Sequence, residues 1–495
     1  MLERKWWTLV VVCTAIFMLL LDITIVNVAL PPISRSLHAG FTDLQWVIDA
    51  YALALATCVL NAGSLADLLG RKRVFVAGVV LFTAASALCG AATTPLFLIL
   101  ARAGQGIGGA IMFAVSLALL SQEFQGRERG TAFGIWGATT GAAVAIGPLV
   151  GGMLTTWLSW RWIFFVNIPI GVAATALSIM TLRETRDEEH GGVDVVGLVT
   201  LSGALFTFVF ALLRGNDKGW SSSLILAMLF GGLALLVVFV FSQWRGRRPM
   251  IDLALFRKPA FTGAQITAFS LSAAVFSMFL YLTLYLQNFL GYSPIQTGLR
   301  FLPITLLSFV CAAISGKLSS FVPPRLLLAA GLALCAIGLF VLHGLSTSSS
   351  WTALLPGFIL MGAGVGTTNP ALASTAIGVV PPRQAGMASG TNNTFRQVGI
   401  ASGIAALGAL FEHHIRVTTH VRGPLLNLVA SGRVHPSPPN FGGPLFDHTA
   451  HAEAFIGALN EIFVVGAIVA AVGAVLALSL VRRRDFAAAS APAEA

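Results

Sequence analysis

Three ionisable residues stand inside stretches that are otherwise apolar: Asp22 in LLLDITIVNVALPP (Leu19–Pro32), Asp49 in QWVIDAYALA (Gln45–Ala54) and Arg102 in LILARAGQGIGG (Leu98–Gly109). On a helix rising 1.5 Å per residue they lie roughly 12, 9 and 10 Å from one end of their segments. Each charge at the centre of a membrane span costs about 2.5–3.5 kcal/mol, so such groups face a cavity or one another. Two chemistries fit. The first is an Asp–Arg ion pair joining helices. The second is a carboxyl that changes protonation: desolvation favours the neutral acid, a nearby guanidinium favours the carboxylate, and changing access to water moves the balance. Such a group can take a proton from one side of a membrane and release it on the other. Asp22 is the first candidate and Asp49 the second, with Arg102 the partner that tunes them. Asp49 lies nearer the surface, where a vestibule charge or a helix-start residue is the plainer reading. A carboxylate facing a cavity also attracts a cationic cargo, which would compete with the proton.

The elements that must position these groups are membrane helices. The chain has 495 residues, 56% hydrophobic and 10% charged, too little polar surface for a soluble domain of this size. The apolar residues come in blocks and do not alternate, which argues against a β-barrel. Fourteen spans are expected, roughly at 7–30, 43–66, 74–93, 95–120, 131–156, 161–182, 194–213, 221–243, 260–288, 294–316, 325–344, 352–378, 386–411 and 457–481. MLERKWWTLVVVC resembles a signal peptide at its start, but no small-residue cleavage site follows, so it reads as the first helix. The net charge of +10 is topological. With the N-terminus inside, 20 of 30 Lys and Arg fall in cytoplasmic segments, including Arg71-Lys72-Arg73 and Arg482-Arg483-Arg484, and seven fall outside. The expected location is therefore the cytoplasmic membrane with both termini cytoplasmic, and nucleic acid is not an expected partner. The five cysteines all lie in apolar runs, so neither a disulfide framework nor a thiolate metal site is expected.

The chain repeats itself. RERGTAFG (Arg127–Gly134) matches RQAGMASG (Arg383–Gly390), GSLADLLGRK (Gly63–Lys72) matches GKLSSFVPPR (Gly316–Arg325), and GQGIGG (Gly104–Gly109) matches GAGVGT (Gly362–Thr367). The offsets are 256, 253 and 258, so spans 1–6 recur as spans 9–14. This divides the chain into a six-helix half (1–190), two inserted helices (191–245) and a second half (246–495) with a polar external loop at about 412–456. Two parallel six-helix halves around a midplane site are a transporter architecture.

Read in order, the motifs resemble the major facilitator superfamily. GSLADLLGRKR is similar to its signature loop between spans 2 and 3, and RAGQGIGGA and GPLVGG (Gly147–Gly152) are similar to two further motifs, the last associated with antiporters. LDITIVNVALP and WRWIFFVNIPIG (Trp160–Gly171) resemble the fourteen-span drug:proton antiporter subfamily. The resemblance covers nearly the whole chain, and implies an all-α membrane fold of two pseudo-symmetric halves plus two inserted helices. It implies a gating latch in which Gly63 and Gly70 make tight turns, Asp67 caps a helix of the opposite half and Arg71 pairs with the carboxylate. In the repeat, Ser320 and Pro324 replace Asp67 and Arg71. Gly147, Pro148, Gly151 and Gly152 would bend span 5, let it approach a neighbour and shape the inner gate. This motif also implies export.

Asn392, Arg396 and Gln397 form a polar strip near mid-membrane in span 13. With Asn27 and Gln105 they are the expected substrate-cavity residues; interhelical hydrogen bonding is the plainer reading. Tyr51, Tyr281 and Tyr285 are candidate stacking residues and Glu461 a vestibule acid. His448 and His451 (HTAH) have a conceivable metal spacing, but a solvated loop fits better.

These readings converge on a proton-coupled exporter of amphipathic or cationic drugs, with an exporter of one endogenous metabolite or lipid on the same fold as the alternative. No convergent nucleophile, base or metal set suggests an enzyme. No GxxxxGK[ST] loop suggests ATP, and no cofactor is expected. The expected partners are a small amphipathic molecule, protons and the bilayer. A monomer is expected, and the sequence specifies no periplasmic adaptor.

Overall fold

A chain so poor in polar side chains must satisfy its backbone within each segment, and helices do so without help from solvent. The computed structural model describes residues 4–124, 126–185, 194–246, 249, 251–319, 321–380, 385–421, 423–432 and 448–482, and among these there are helices and no strands. The first half comprises α1 (Arg4–Leu37), α2 (Phe41–Leu69), α3 (Arg71–Gly90), α4 (Pro95–Glu123), α5 (Gly126–Trp157), α6 (Trp162–Phe165) and α7 (Asn167–Thr181). Then follow α8 (Val195–Lys218) and α9 (Ser223–Arg245). The remainder is α10 (Pro259–Leu271), α11 (Met278–Leu284), α12 (Pro294–Leu318), α13 (Pro324–Leu342), α14 (Leu355–Gly378), α15 (Ala385–Thr419), α16 (Pro424–Ala430) and α17 (His448–Leu480).

Twelve helical segments among the described residues are long and apolar enough to cross a membrane. The other two expected spans, 43–66 and 131–156, fall within α2 and α5, helices of 29 and 32 residues. Starts are set by local chemistry. Thr94 caps α4, accepting from the Phe97 amide at 3.2 Å, and Asp194 caps α8, accepting from the Gly197 amide at 2.7 Å. Ser293 and Gln296 form a capping box ahead of α12, with Pro294 at its first position. α9 turns a nearly continuous apolar face outward, including Phe230, Leu233, Val237 and Phe241, as a lipid-facing helix must.

The two copies of the glycine motif do the same packing work. In α4, Gly106 lies against the Tyr51 backbone of α2 and Gly108 against Phe82 of α3. In α14, Gly362 lies against the Ile304 backbone of α12 and Gly364 against Cys335 and Gly331 of α13. In both, a Cβ would meet backbone atoms inside normal contact distance, so only glycine lets three helices close at that point.

Two features depart from expectation. The span at 260–288 is not one regular helix: α10 passes into a π-helical turn at Ser272–Phe276, and α11 into another at Tyr285–Phe289. Such insertions leave no periodicity signal and re-aim side chains. The polar loop expected from Glu412 starts later, because α15 stays helical to Thr419 and α17 already begins at His448. His414 Nδ1 lies 2.6 Å from Glu461 Oε2, tying α15 to α17 and giving the expected vestibule acid a partner. His451 is buried rather than solvated, while residues 433–447 lie outside the described residues.

Candidate functional site

Asp22 sits at the centre of a polar knot that joins five helices. Its Oδ2 accepts from Arg102 Nη1 of α4. Its Oδ1 accepts from Gln105 Nε2 at 2.8 Å and from Asn167 Nδ2 of α7 at 3.4 Å. Gln105 Oε1 accepts from Arg102 Nη1 at 2.7 Å. Ser86 of α3 accepts from Gln105 and Asn167 at 3.2 and 3.0 Å. Arg102 Nε reaches the Val47 carbonyl of α2 at 3.2 Å, and the Tyr51 ring lies 4.2 Å below the guanidinium. Asp22 and Arg102 are each 1% exposed. A buried ion pair is tolerable when its remaining hydrogen-bonding groups find partners, as both Asp22 oxygens and Arg102 Nε and Nη1 do here.

Asp49 is different. It is 0% exposed, and among the described residues neither carboxyl oxygen has a hydrogen-bond partner. It lies one turn from Gln45 on the same face of α2, and that face meets α15. Gln45 Nε2 and Tyr281 Oη both donate to the Ile404 carbonyl, at 3.1 and 2.7 Å. Further along the same crossing Thr394 Oγ1 donates to the Ala56 carbonyl at 2.9 Å. Asp49 therefore lies in the seam between the first half and the second.

Between the halves is a cavity of about 50 Å³ lined by Ile23, Thr24, Asn27, Ile48, Phe276 and Ile400, among others. Of the expected cavity residues Asn27 lines it directly. Gln105 belongs instead to the Asp22 knot, where it is 0% exposed. Asn392 donates to Gln265 Oε1 of α10 at 3.2 Å, Gln397 is buried, and Arg396 stands half-buried with its guanidinium 6.0 Å from the Phe276 ring centre. Tyr51 and Tyr281 are stacking and hydrogen-bonding parts of the two clusters above, and Tyr285 Oη donates to the Ser349 carbonyl at 3.3 Å.

The glycines of GPLVGG bring α5 against two neighbours. Gly147 and Gly151 press on Thr24 and Ile25 of α1, and Gly152 on the backbone of Pro294 and Ile295 of α12. Gly298 returns the contact against the Pro148 carbonyl, and Thr156 Oγ1 accepts from the Ile295 amide at 3.1 Å. This crossing lies near the end of α5 remote from the α2–α3 junction, where it packs α5 against α1 and α12.

At the α2–α3 junction, Gly70 has φ 109°, and a Cβ on it would collide with the Glu184 carboxylate. Glu184 accepts from the amides of Lys72 and Arg73 at 3.2 and 3.3 Å, capping the N-terminus of α3, and its carboxylate lies 3.5 Å from Arg73 Nε. The cap on this helix thus comes from its own half. Arg71 is tied by its amide to the Thr185 carbonyl at 3.0 Å, while Gly63, expected in a tight turn, lies within the helical run of α2 with open space around it. The side chain of Asp67, the expected latch acid, lies outside the described residues.

Asn167, Ser86, Gln265 and Glu184 were not singled out from the sequence. Asn167 sits in the quoted WRWIFFVNIPIG, and its amide inside an apolar run was the available signal.

Residues 12–404 match the Major Facilitator Superfamily, and the chain belongs to it. It is 36% identical over 412 residues to the multidrug resistance protein Stp of Mycobacterium tuberculosis, covering 83% of this chain and 76% of that one. It is also 36% identical to the puromycin resistance protein pur8 of Streptomyces alboniger, over 82% of both. To the tetracenomycin C resistance and export protein of Streptomyces glaucescens it is 31% identical, over 96% of this chain and 91% of the relative. A crystal structure of a bacterial homologue of the lysosomal transporter Spinster shares the fold, with a TM-score of 0.67 at 16% identity over both whole chains. The protein is a multi-span membrane transporter of this superfamily.

Proposed function

We propose that this protein exports amphipathic drugs or antibiotics across the cytoplasmic membrane in exchange for protons, and that Asp49 carries the proton. The observation that carries the reading is the Asp49 carboxyl, fully buried at the α2–α15 seam with no donor to either oxygen among the described residues. A carboxylate there would be an uncompensated buried charge; the neutral acid carries no such cost. Movement of one half against the other opens this seam to water and lets the acid ionise. Asp22 takes the second place: its lone pairs are filled by Arg102, Gln105 and Asn167, so it braces the helices that move as a body.

Cytoplasmic placement of the Arg71-Lys72-Arg73 end follows from the distribution of basic residues. With that orientation, the α5–α12 contact and the contact of α1 with the Tyr285–Phe289 turn, Gln287 Nε2 to the Val28 carbonyl at 2.7 Å, close the external side. The single chain carries both halves, so a monomer suffices. The three relatives above are named for drug or antibiotic resistance, which supports export of that cargo class.

The test is a resistance panel that includes puromycin and tetracenomycin C, run in a drug-sensitive host with and without a protonophore. Resistance to several unrelated compounds that disappears with the protonophore supports the reading. Unchanged resistance under the protonophore contradicts proton coupling, and resistance to one compound alone favours the single-metabolite exporter.

A further inference from the structure

Arg396 is a mid-span cation with nothing to balance it. Among the described residues it has no ion pair and no hydrogen bond; its only interaction is with the Phe276 ring, at 6.0 Å. Phe276 and Ile400 both line the central cavity, and Ile400 is one turn along α15 from Arg396 on the same face. Arg396 is not itself a lining residue; its guanidinium stands next to the cavity, on the far side of Phe276. One turn the other way, Asn392 donates to Gln265, whose Nε2 is fully buried and has no acceptor. Among the described residues, two sets of donors thus stand unused on this side of α15.

The other charges nearby do not supply an acceptor. Arg102 already neutralises Asp22. Asp49 lies opposite position 400 or thereabouts, by interpolation between the Gln45–Ile404 and Ala56–Thr394 hydrogen bonds. That sets it four residues, about 6 Å, further along the seam than Arg396. When Asp49 is protonated, Arg396 leaves one net positive charge beside the cavity. A guanidinium is matched best by a planar pair of oxygens, and it repels a plain lipophilic cation.

We propose that Arg396, standing over Phe276, is the recognition subsite for an acidic group, a carboxylate or phenolate, on a flat amphipathic cargo. The inference rests on the exporter reading and narrows it. Apolar walls from Ile23, Phe276 and Phe301 take the ring system, and any amine on the same molecule meets Asp49. The preferred cargo is then acidic or zwitterionic rather than simply cationic.

The test uses rhodamine B, which carries a free carboxylate, and its ethyl ester, a cation of nearly the same shape. Binding to the purified full chain in detergent is read by fluorescence anisotropy. Wild type should bind the acid about tenfold more tightly than the ester or better, a difference of about 1.4 kcal/mol. Arg396→Gln should bring the acid down to the level of the ester without weakening the ester, and Arg396→Lys should keep part of the preference. Equal affinities in wild type overturn the proposal, as does equal weakening of both dyes by Arg396→Gln, which would mark a packing role. It is also overturned if the acid preference is absent in wild type and emerges only in Asp49→Asn, the signature of an ion pair between the two. Gradient-driven dye efflux from vesicles is measured separately. Efflux without acid preference contradicts the subsite alone; preference in binding without efflux contradicts the exporter reading alone.

Discussion

Arg102 on α4 holds Asp22 on α1, while Asp49, on the intervening α2, is buried with no hydrogen-bond partner among the described residues. The same half of the molecule thus contains one carboxylate whose lone pairs are filled and one whose are empty. The first is suited to holding helices together and the second to changing its protonation state.

The Asp22 knot should behave as a structural brace. Removing one partner leaves an uncompensated buried charge, which costs roughly 3–5 kcal/mol. Arg102→Ala should therefore lower the thermal unfolding midpoint in detergent markedly. Asp22→Asn/Arg102→Gln, which removes both charges, should recover a large part of the loss. A single substitution with no effect on the midpoint would contradict the brace.

Close packing of α5 on α12 should be needed to shut one end of the bundle. Gly152→Val would drive a side chain into the backbone of Pro294 and Ile295, where overpacking costs about 1–3 kcal/mol. Cysteines at Thr156 and Ile295, adjacent across the halves, report closure by crosslinking. The crosslink should form readily in the parent and weakly with Gly152→Val, with transport reduced in parallel.

The cap on α3 makes a graded prediction. Glu184→Ala should cost about 1 kcal/mol, as loss of a helix cap does, discounted for its partial exposure. Gly70→Ala should cost more, because φ 109° strains any residue with a Cβ and that Cβ meets Glu184. Combining the two should relieve the collision and leave the strain, so the double variant should be less impaired than the sum. Unfolding midpoints of the four proteins check this.

The architecture was legible because apolar blocks of span length leave few alternatives, and because the repeat in Gly104–Gly109 and Gly362–Thr367 marks equivalent helices. The ionisables were legible as a group: Asp22, Asp49, Arg102 and Arg396 stand out against apolar neighbours. Their pairing was not. Whether Arg102 meets Asp22 or Asp49 depends on helix rotation, and α2 offers Arg102 a carbonyl, Val47, and a ring, Tyr51, rather than its acid. The Glu184 cap was hidden because its amides come from residues more than a hundred positions away. The π-helical turn at Ser272–Phe276, one extra residue in a turn, places Phe276 on the cavity wall and leaves no trace in periodicity.

The central claim is that Asp49 exchanges its proton for cargo, and proton release in inverted vesicles tests it most directly. With an acidified lumen and a compound to which the protein confers resistance added outside, wild type and well-folded Asp22→Asn protein should both discharge the gradient, and Asp49→Asn should not. Cargo-driven proton release that persists in Asp49→Asn and is lost in Asp22→Asn would contradict the account.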